Sequence, residues 1–450
     1  MTLPEPPYLP DDHSSAIVGG ALPRVPQRLH PLSPVVRLGR AVIGLVYIAG
    51  SALLQSRSGH PNYWVDAVIV AVGVVAGVIS WAVTTWSVDG SILQVSTGLI
   101  RRKVVRLPLS RVQAVDLVEP WLARVLGLAE VRVRTGGGGG GDARLQYLSV
   151  SHAQAVRTAL VALAHGLPGS TPEAVDRPLV KVDNGLLVLS TLLTGRVLSS
   201  VAFVGLEVVL FTIHQTVVAS SLLLYMFASL SALGRRIANE WGLAVSESPD
   251  GLRVKTGLGS RVRETIPPNR IQALHQLEPL FWRAFGWQRL EIHLAGGVAR
   301  RRNQPRAVVR RALLPVGHRP ECDLLLSRLL GRTGVALTTP PSRGRVRSPF
   351  SFHFLAAGHD GWVAMSTSGR LSRRTEIIPL AKVQSIHYVQ GPILRALRLA
   401  TVRVVAAGRD TSVSWRQWDA FEARKLVDEL TAACAAARQY DLAQVVRADK

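Results

Sequence analysis

One pattern occurs three times in this chain, and any fold assigned to it must use that pattern three times. The copies are GLIRRKVVRLPLSRVQAV at 98–115, GLGSRVRETIPPNRIQAL at 257–274 and GRLSRRTEIIPLAKVQSI at 369–386. In each, a glycine (Gly98, Gly257, Gly369) stands ten residues before a proline (Pro108, Pro267, Pro379). A basic residue (Arg111, Arg270, Lys382) follows the proline by three, and a glutamine (Gln113, Gln272, Gln384) comes two later. A further arginine (Arg124, Arg283, Arg395) lies sixteen past the proline, ahead of the β-rich runs AEVRVRT, QRLEIHL and ATVRVVA. Long-period self-similarity means one supersecondary unit used repeatedly.

Each unit reads as strands closed by one helix. In the first, TTWSVDG, SILQVST and KVVRLPL are β-branched runs separated by Asp-Gly and Thr-Gly turns. A helical turn, EPWLARVLG, carries Pro120 near its start and Gly127 at its end. AEVRVRT alternates strictly, so its apolar residues face a core and its arginines face out. The six glycines 136–141 read as a hairpin loop, and SHAQAVRTALVALAHG as the closing helix with Ser151 as its N-cap. The expected boundaries are 84–166, 240–331 and 350–437, with a tail at 438–450. The expected fold class is α+β, with three small barrels or bent sandwiches.

Composition adds a second expectation. Net charge is +23 and the estimated pI is 11.3, yet 48% of residues are hydrophobic and mean hydropathy is +0.22. That combination suits apolar spans with basic parts facing an anionic leaflet, although basic charge alone equally suits nucleic acid. Cys322 and Cys434 supply no disulfide framework and read as buried thiols. Residues 1–34 hold eight prolines and no early apolar core, so they read as a disordered tail without a signal peptide.

Apolar runs at 39–54, 65–83, 197–213 and 217–233 pair into two hairpins, 39–83 and 197–233, expected to cross a membrane. Arg37, Arg40, Arg101, Arg102, Lys103, Arg196, Arg235 and Arg236 flank them, which places all three units on the cytoplasmic side of a plasma membrane. Glu207 stands inside the third run. It is expected either to pack or hydrogen-bond between helices, or to serve ion or solute transport.

The strand, Gly-Leu, basic run, Ile/Leu-Pro, Arg/Lys-x-Gln pattern, with Leu-x-Arg-x-Leu-Gly-Leu and Val-x-Val, resembles the bacterial pleckstrin-homology-like domain. The resemblance covers about 39–436. It rests on Pro108, Arg111, Gln113, Arg124 and Gly127; on Pro267, Arg270, Gln272, Arg283 and Gly286; and on Pro379, Lys382, Gln384 and Arg395. The third unit has Arg398 where the others have Gly. The resemblance implies a membrane-anchored accessory protein without catalytic residues, of a kind linked to envelope stress or antimicrobial resistance.

The repeated Pro, Gln and Gly positions read as structural: proline at strand starts or edges, glutamine satisfying backbone, glycine at positive φ. Arg124, Arg283 and Arg395 are open between a solvated helix face and contacts to an acidic lipid headgroup or partner. Clusters Arg101–Lys103, Arg300, Arg301, Arg302, and Arg373–Arg374 are expected membrane-surface contacts. No GxSxG, P-loop, HExxH or CxxC occurs. His293 reads as a surface residue on a strand, and His353 and His359 as neighbours without acids or cysteines to complete a metal site. The expectation is a non-enzymatic scaffold with no cofactor or metal, partnered by the bilayer, by anionic headgroups, by a second membrane protein or by itself. Transport around Glu207 and nucleic-acid binding are the alternatives.

Overall fold

The three copies build the same elements in the same order. The structure is a computed structural model; it describes residues 22–23, 26–34, 36, 81–98, 102–135, 143–164, 176–194, 200–205, 215–249, 251–294, 309–331, 334–408 and 411–448, with isolated positions between them. Copy one comprises β2 (Thr85–Asp89), β3 (Ile92–Thr97), β4 (Lys103–Pro108), β5 (Val112–Glu119), α1 (Trp121–Val125), β6 (Leu128–Thr135), β7 (Ala143–Ser149) and α2 (Val150–Ala164), preceded by a short β1 (Gln27–Arg28). A strand β8 (Arg177–Lys181) and helices α3 (Asn184–Leu192) and α4 (Gln215–Glu240) lead to copy two. That copy has β9 (Ala244–Ser248), β10 (Gly251–Thr256), β11 (Arg261–Ile266), β12 (Ile271–Pro279), α5 (Leu280–Arg283), β13 (Trp287–Leu294), β14 (Val309–His318) and α6 (Arg319–Leu330). Copy three has β15 (Ala356–His359), β16 (Val363–Ser368), β17 (Ser372–Pro379), β18 (Val383–Val389), α7 (Pro392–Ala396), β19 (Leu399–Ala406), β20 (Ser412–Asp419) and α8 (Ala420–Ala448).

The repeat residues explain this regularity. Pro108, Pro267 and Pro379 each cap a short 3-10 turn that swings the chain from the first sheet to the second. Proline's fixed φ suits the turn, and its missing N–H costs nothing there. Gly98, Gly257 and Gly369 have φ of 101°, 110° and 98°, which disfavours any side chain. Gly127 and Gly286 end their helices at φ 67° and 65°, and Arg398 adopts φ 52° at the equivalent place.

The chain divides into two compact units, 1–175 with 260–265 and 176–259 with 266–450. In the first, β1-β2-β3-β4 form one antiparallel sheet, and β7, β6, β5 and β11 lie side by side in a second. The core between them includes Trp86, Leu93, Leu117, Val131, Leu145 and Leu160. Helix α2 closes it with Ala153, Val156 and Leu160, the i, i+3, i+7 stripe of an amphipathic helix. Its start is capped by Ser149, whose hydroxyl accepts from the His152 amide at 3.4 Å, two residues before the expected Ser151.

In the second unit, β10, β9 and β8 pair in that order. A six-stranded sheet runs β14-β13-β12-β17-β16-β15, and β18-β19-β20 form a third. Strand β17 is held on both sides: it pairs with β16 of its own copy and with β12 of copy two over six residues, Leu274↔Ile377 to Pro279↔Ser372. The shared sheet has a core on each face. Ile377 packs with Leu274 in copy two's core, while its neighbour Ile378 packs with Ala273 and Val402 in copy three's. Each buried aliphatic side chain of this kind contributes about 1.5–3 kcal/mol. The segment joining the copies is fastened to copy three: Thr338 bridges to Ala357, Pro340 and Gly344 are buried, and the Gln417 amide donates to Ser348 Oγ at 2.6 Å.

Two expectations need correction. The first is the pair of transmembrane hairpins, and with it the multi-pass plasma-membrane location and cytoplasmic placement. Among the described residues no helix is long and apolar enough to cross a membrane. The runs 197–213 and 217–233 are at the short end of the roughly 17–25 apolar residues that a crossing takes. The second continues into the polar end of α4, where Glu240 pairs with Arg236 and with Arg289 of β13. Phe203 and Tyr225 pack, with centroids 4.1 Å apart. Most of 39–80, and 206–214 with Glu207, lies outside the described residues. The second difference concerns the expected tail: β1 pairs with β2, and Leu29 is buried with the Trp81 indole donating to its carbonyl at 2.8 Å. The glycine run 136–141 also lies outside the described residues.

Candidate functional site

Polar residues are buried where a strand of the following copy lies against β5 or β12. Counting from the repeat glutamine and proline aligns the positions. Asp116 and His275 stand three after the glutamine, Arg134 and His293 twenty-one after it, and Glu264 and Glu376 three before the next copy's proline. In the first unit these form an ion-paired cluster. Arg134 Nε meets Asp116 Oδ2 at 2.8 Å, and its Nη1 meets Glu264 Oε1 at 2.7 Å, with both carboxylates almost fully buried. Arg132 pairs with buried Glu130 at 3.0 Å. Buried charges of this kind must be paired, because an isolated one would be expelled or neutralised.

In the second unit the same positions carry two histidines and a glutamate. His275 and His293 are both buried, and their rings lie 4.4 Å apart. His275 is in register with Glu291 on one side and Glu376 on the other. The expected surface position of His293 is therefore corrected. Its strand alternates, but the outward face of β13 is covered in the fold, so alternation alone could not say which face met water. Beside it, Arg289 binds both Glu240 and Glu291. Burial works against its charge, but the hydrogen bonds and charges of those two acids outweigh this and hold it above the usual arginine range. A second polar chain runs from Gln276 to Gln288 to Glu278, at 2.6 and 2.7 Å.

Glu376 also lines a small polar cleft of copy three, with Ser366, Ser368, Ser414, Arg416 and Trp418. The Ser414 amide donates to Ser366 Oγ at 3.2 Å, which fixes the wall. The cleft has room for about one water molecule and is too small for an organic substrate. Among the described residues no group of three or more His, Cys, Asp or Glu could hold a metal ion.

The sequence-predicted contacts are distributed unevenly. Arg102, Lys103, Arg124, Arg373, Arg374 and Arg395 are exposed. Arg283 is half-buried, and its Nε and Nη2 have no hydrogen-bond partner among the described residues. Arg101, Arg300, Arg301, Arg302 and Glu207 lie outside the described residues. The repeated glutamines diverge: Gln272 is buried and Gln384 exposed, and the Gln113 side chain is outside the described set. Exposed His353 stacks edge-on to Phe352, and His359 edge-on to Trp415. Sequence reasoning did not find the buried clusters. Their signal was present in the repeat alignment, where polar residues recur at fixed offsets inside otherwise apolar strands.

A sequence model of the bacterial PH domain matches this chain three times, at residues 38–164, 201–333 and 323–433. No curated protein and no solved structure matches it.

Proposed function

This chain belongs to the bacterial PH domain family, and from that premise we propose a non-catalytic binding scaffold. Three PH-like copies are a repeated set of binding modules. The observation that carries the reading is the shared strand β17, which makes copies two and three one continuous sheet with a core on either face. Such a body presents its surfaces at fixed spacing. The surface offered is basic: Arg370, Arg373, Arg374, Arg395, Arg403 and Arg416 are all exposed on copy three. Its partner chemistry is an anionic headgroup surface, which each exposed cation near it favours by about 1 kcal/mol. Headgroup contact of this kind needs no membrane span.

Sedimentation of the full chain with vesicles tests the reading. Binding is expected to vesicles containing phosphatidylserine, to fall with salt, and to be weak to phosphatidylcholine alone. Arg373→Glu with Arg374→Glu should weaken it about tenfold or more, since two contacts of roughly 1 kcal/mol are lost. Equal binding to both vesicle types, or preference for duplex DNA over either, would overturn the anionic-headgroup reading. Rapid release of intact copy three by cleavage within 332–349 would overturn the rigid scaffold.

A further inference from the structure

We propose that the outer edge of β18 docks an extended peptide of the form Arg-x-x-Glu-x-Ile-Pro, supplied by another protein. The copies before it show the mode. Strand β5 takes β11 along its edge, with Arg261 opposite Glu119, and β12 takes β17, with Arg373 opposite Glu278. The two added strands read Arg261-Val262-Arg263-Glu264-Thr265-Ile266-Pro267 and Arg373-Arg374-Thr375-Glu376-Ile377-Ile378-Pro379, and the form is what they share. Strand β18 is third in this series. It ends a three-stranded sheet, and among the described residues no strand pairs with its outer edge. At its start, the Val383 carbonyl accepts from the Arg438 guanidinium. An open edge of unpaired backbone groups is a template for an incoming strand.

The side chains of this edge select the glutamate of that form, while Gln390 stands where Glu119 and Glu278 meet its arginine. His387 stands where His275 opposes Glu376, and it is exposed. Its cross-strand neighbour is exposed Arg403. A glutamate in the incoming strand therefore meets the His387 ring, which Ser385 holds at 2.9 Å, with the Arg403 guanidinium beyond it. A second copy of this chain does not fit. Its own equivalent strand, β4, has Val105 at the glutamate position. It also has Arg106 where Ile377 and Thr265 are buried, which would press an exposed arginine into an apolar wall. This edge shares Arg403 with the basic surface invoked above, but the peptide is held along the strand backbone, so loss of vesicle binding in Arg373→Glu with Arg374→Glu would leave the inference standing.

The test titrates the full chain with a synthetic peptide of residues 258–268, LGSRVRETIPP, by fluorescence anisotropy and follows backbone hydrogen exchange. Saturable binding is expected, with slowed exchange across 384–390. Lysine in place of the peptide's Glu264 should weaken binding at least tenfold. His387→Glu, at an exposed position that leaves the fold intact, should do the same and should favour the lysine peptide instead. Absence of binding, protection confined to 112–119 or 271–279, or indifference to the charge swap would overturn the proposal. Tighter binding of the β4 peptide 101–108 would also overturn it, since it would make a second copy the occupant.

Discussion

Replacing Arg398 by glycine should stabilise the protein, because Arg398 occupies a backbone position that the other copies reserve for glycine. Its φ is 52°, against 67° at Gly127 and 65° at Gly286. The surrounding hydrogen bonds are the same. The Arg398 amide donates to the Arg395 carbonyl at 3.0 Å, as Gly127 does to Arg124 at 3.1 Å, and Ala420 donates to Arg398 as Val150 does to Gly127. The third copy therefore holds an L-residue in the left-handed region, at a cost of roughly 1–2 kcal/mol. Glycine removes that cost but gives the unfolded chain more freedom, worth about 0.4–1 kcal/mol. The arginine side chain is exposed and its loss is minor. The net gain is about 0.5–1 kcal/mol, or roughly 1–4 °C in the melting transition of a body this size. Differential scanning calorimetry of Arg398→Gly beside Gly286→Ala reads both signs: the first should raise the transition and the second lower it by a similar amount. A lowered transition for Arg398→Gly would refute the reasoning, since it would mean that the arginine makes a contact worth more than the backbone strain.

Glu264→Leu removes one of two buried carboxylates from half-buried Arg134 and should cost about 3 kcal/mol in urea unfolding; a loss under 1 kcal/mol would show that Asp116 alone suffices. Burial pushes the Cys322 thiol up to about 12 and also raises Cys434, so a thiol reagent at pH 8 should label neither in the native protein and both after unfolding. Asp419 caps α8, and the backbone amide of Phe421, helped by the Glu422 amide and the Arg343 guanidinium, lowers its pKa. Its contribution is therefore complete above the ordinary aspartate range and is lost as pH falls through the lowered value. Asp419→Ala should cost about 1 kcal/mol at pH 7 and flatten the acid limb of a stability–pH profile. At Gly358 an added Cβ would lie 2.0 Å from the Ala336 carbonyl oxygen, so Gly358→Ala should lower the thermal midpoint, by about 1–3 kcal/mol of stability.

The repeat and its local chemistry were legible in the sequence. Pro108, Pro267 and Pro379 restrict φ wherever they stand, and Gly98, Gly257 and Gly369 are the residues that tolerate φ near 100°. Such preferences belong to single residues and need no neighbours, so the three copies and the turns within them were legible before any contact was known. Alternation in β6 gave its apolar core-facing residues for the same reason, but not that Glu130 is buried or that Arg134 meets two buried carboxylates instead of water. The apolar runs at 197–213 and 217–233 misled, because hydropathy counts residues but does not show where a helix ends or which acids and arginines its polar end meets.

What only the tertiary structure decided was the pairing between copies. A strand carries donors and acceptors on both edges, and its sequence does not say which edge finds a partner or from which copy. That choice put Ile377 and Ile378 into different cores, buried His293, and gave Glu376 its place opposite His275. Among the described residues it also left the outer edge of β18 without a pairing strand, although β18 carries the same repeat as its covered counterparts. The sequence sets each residue's local preference, whereas burial is a property of whatever comes to lie against it.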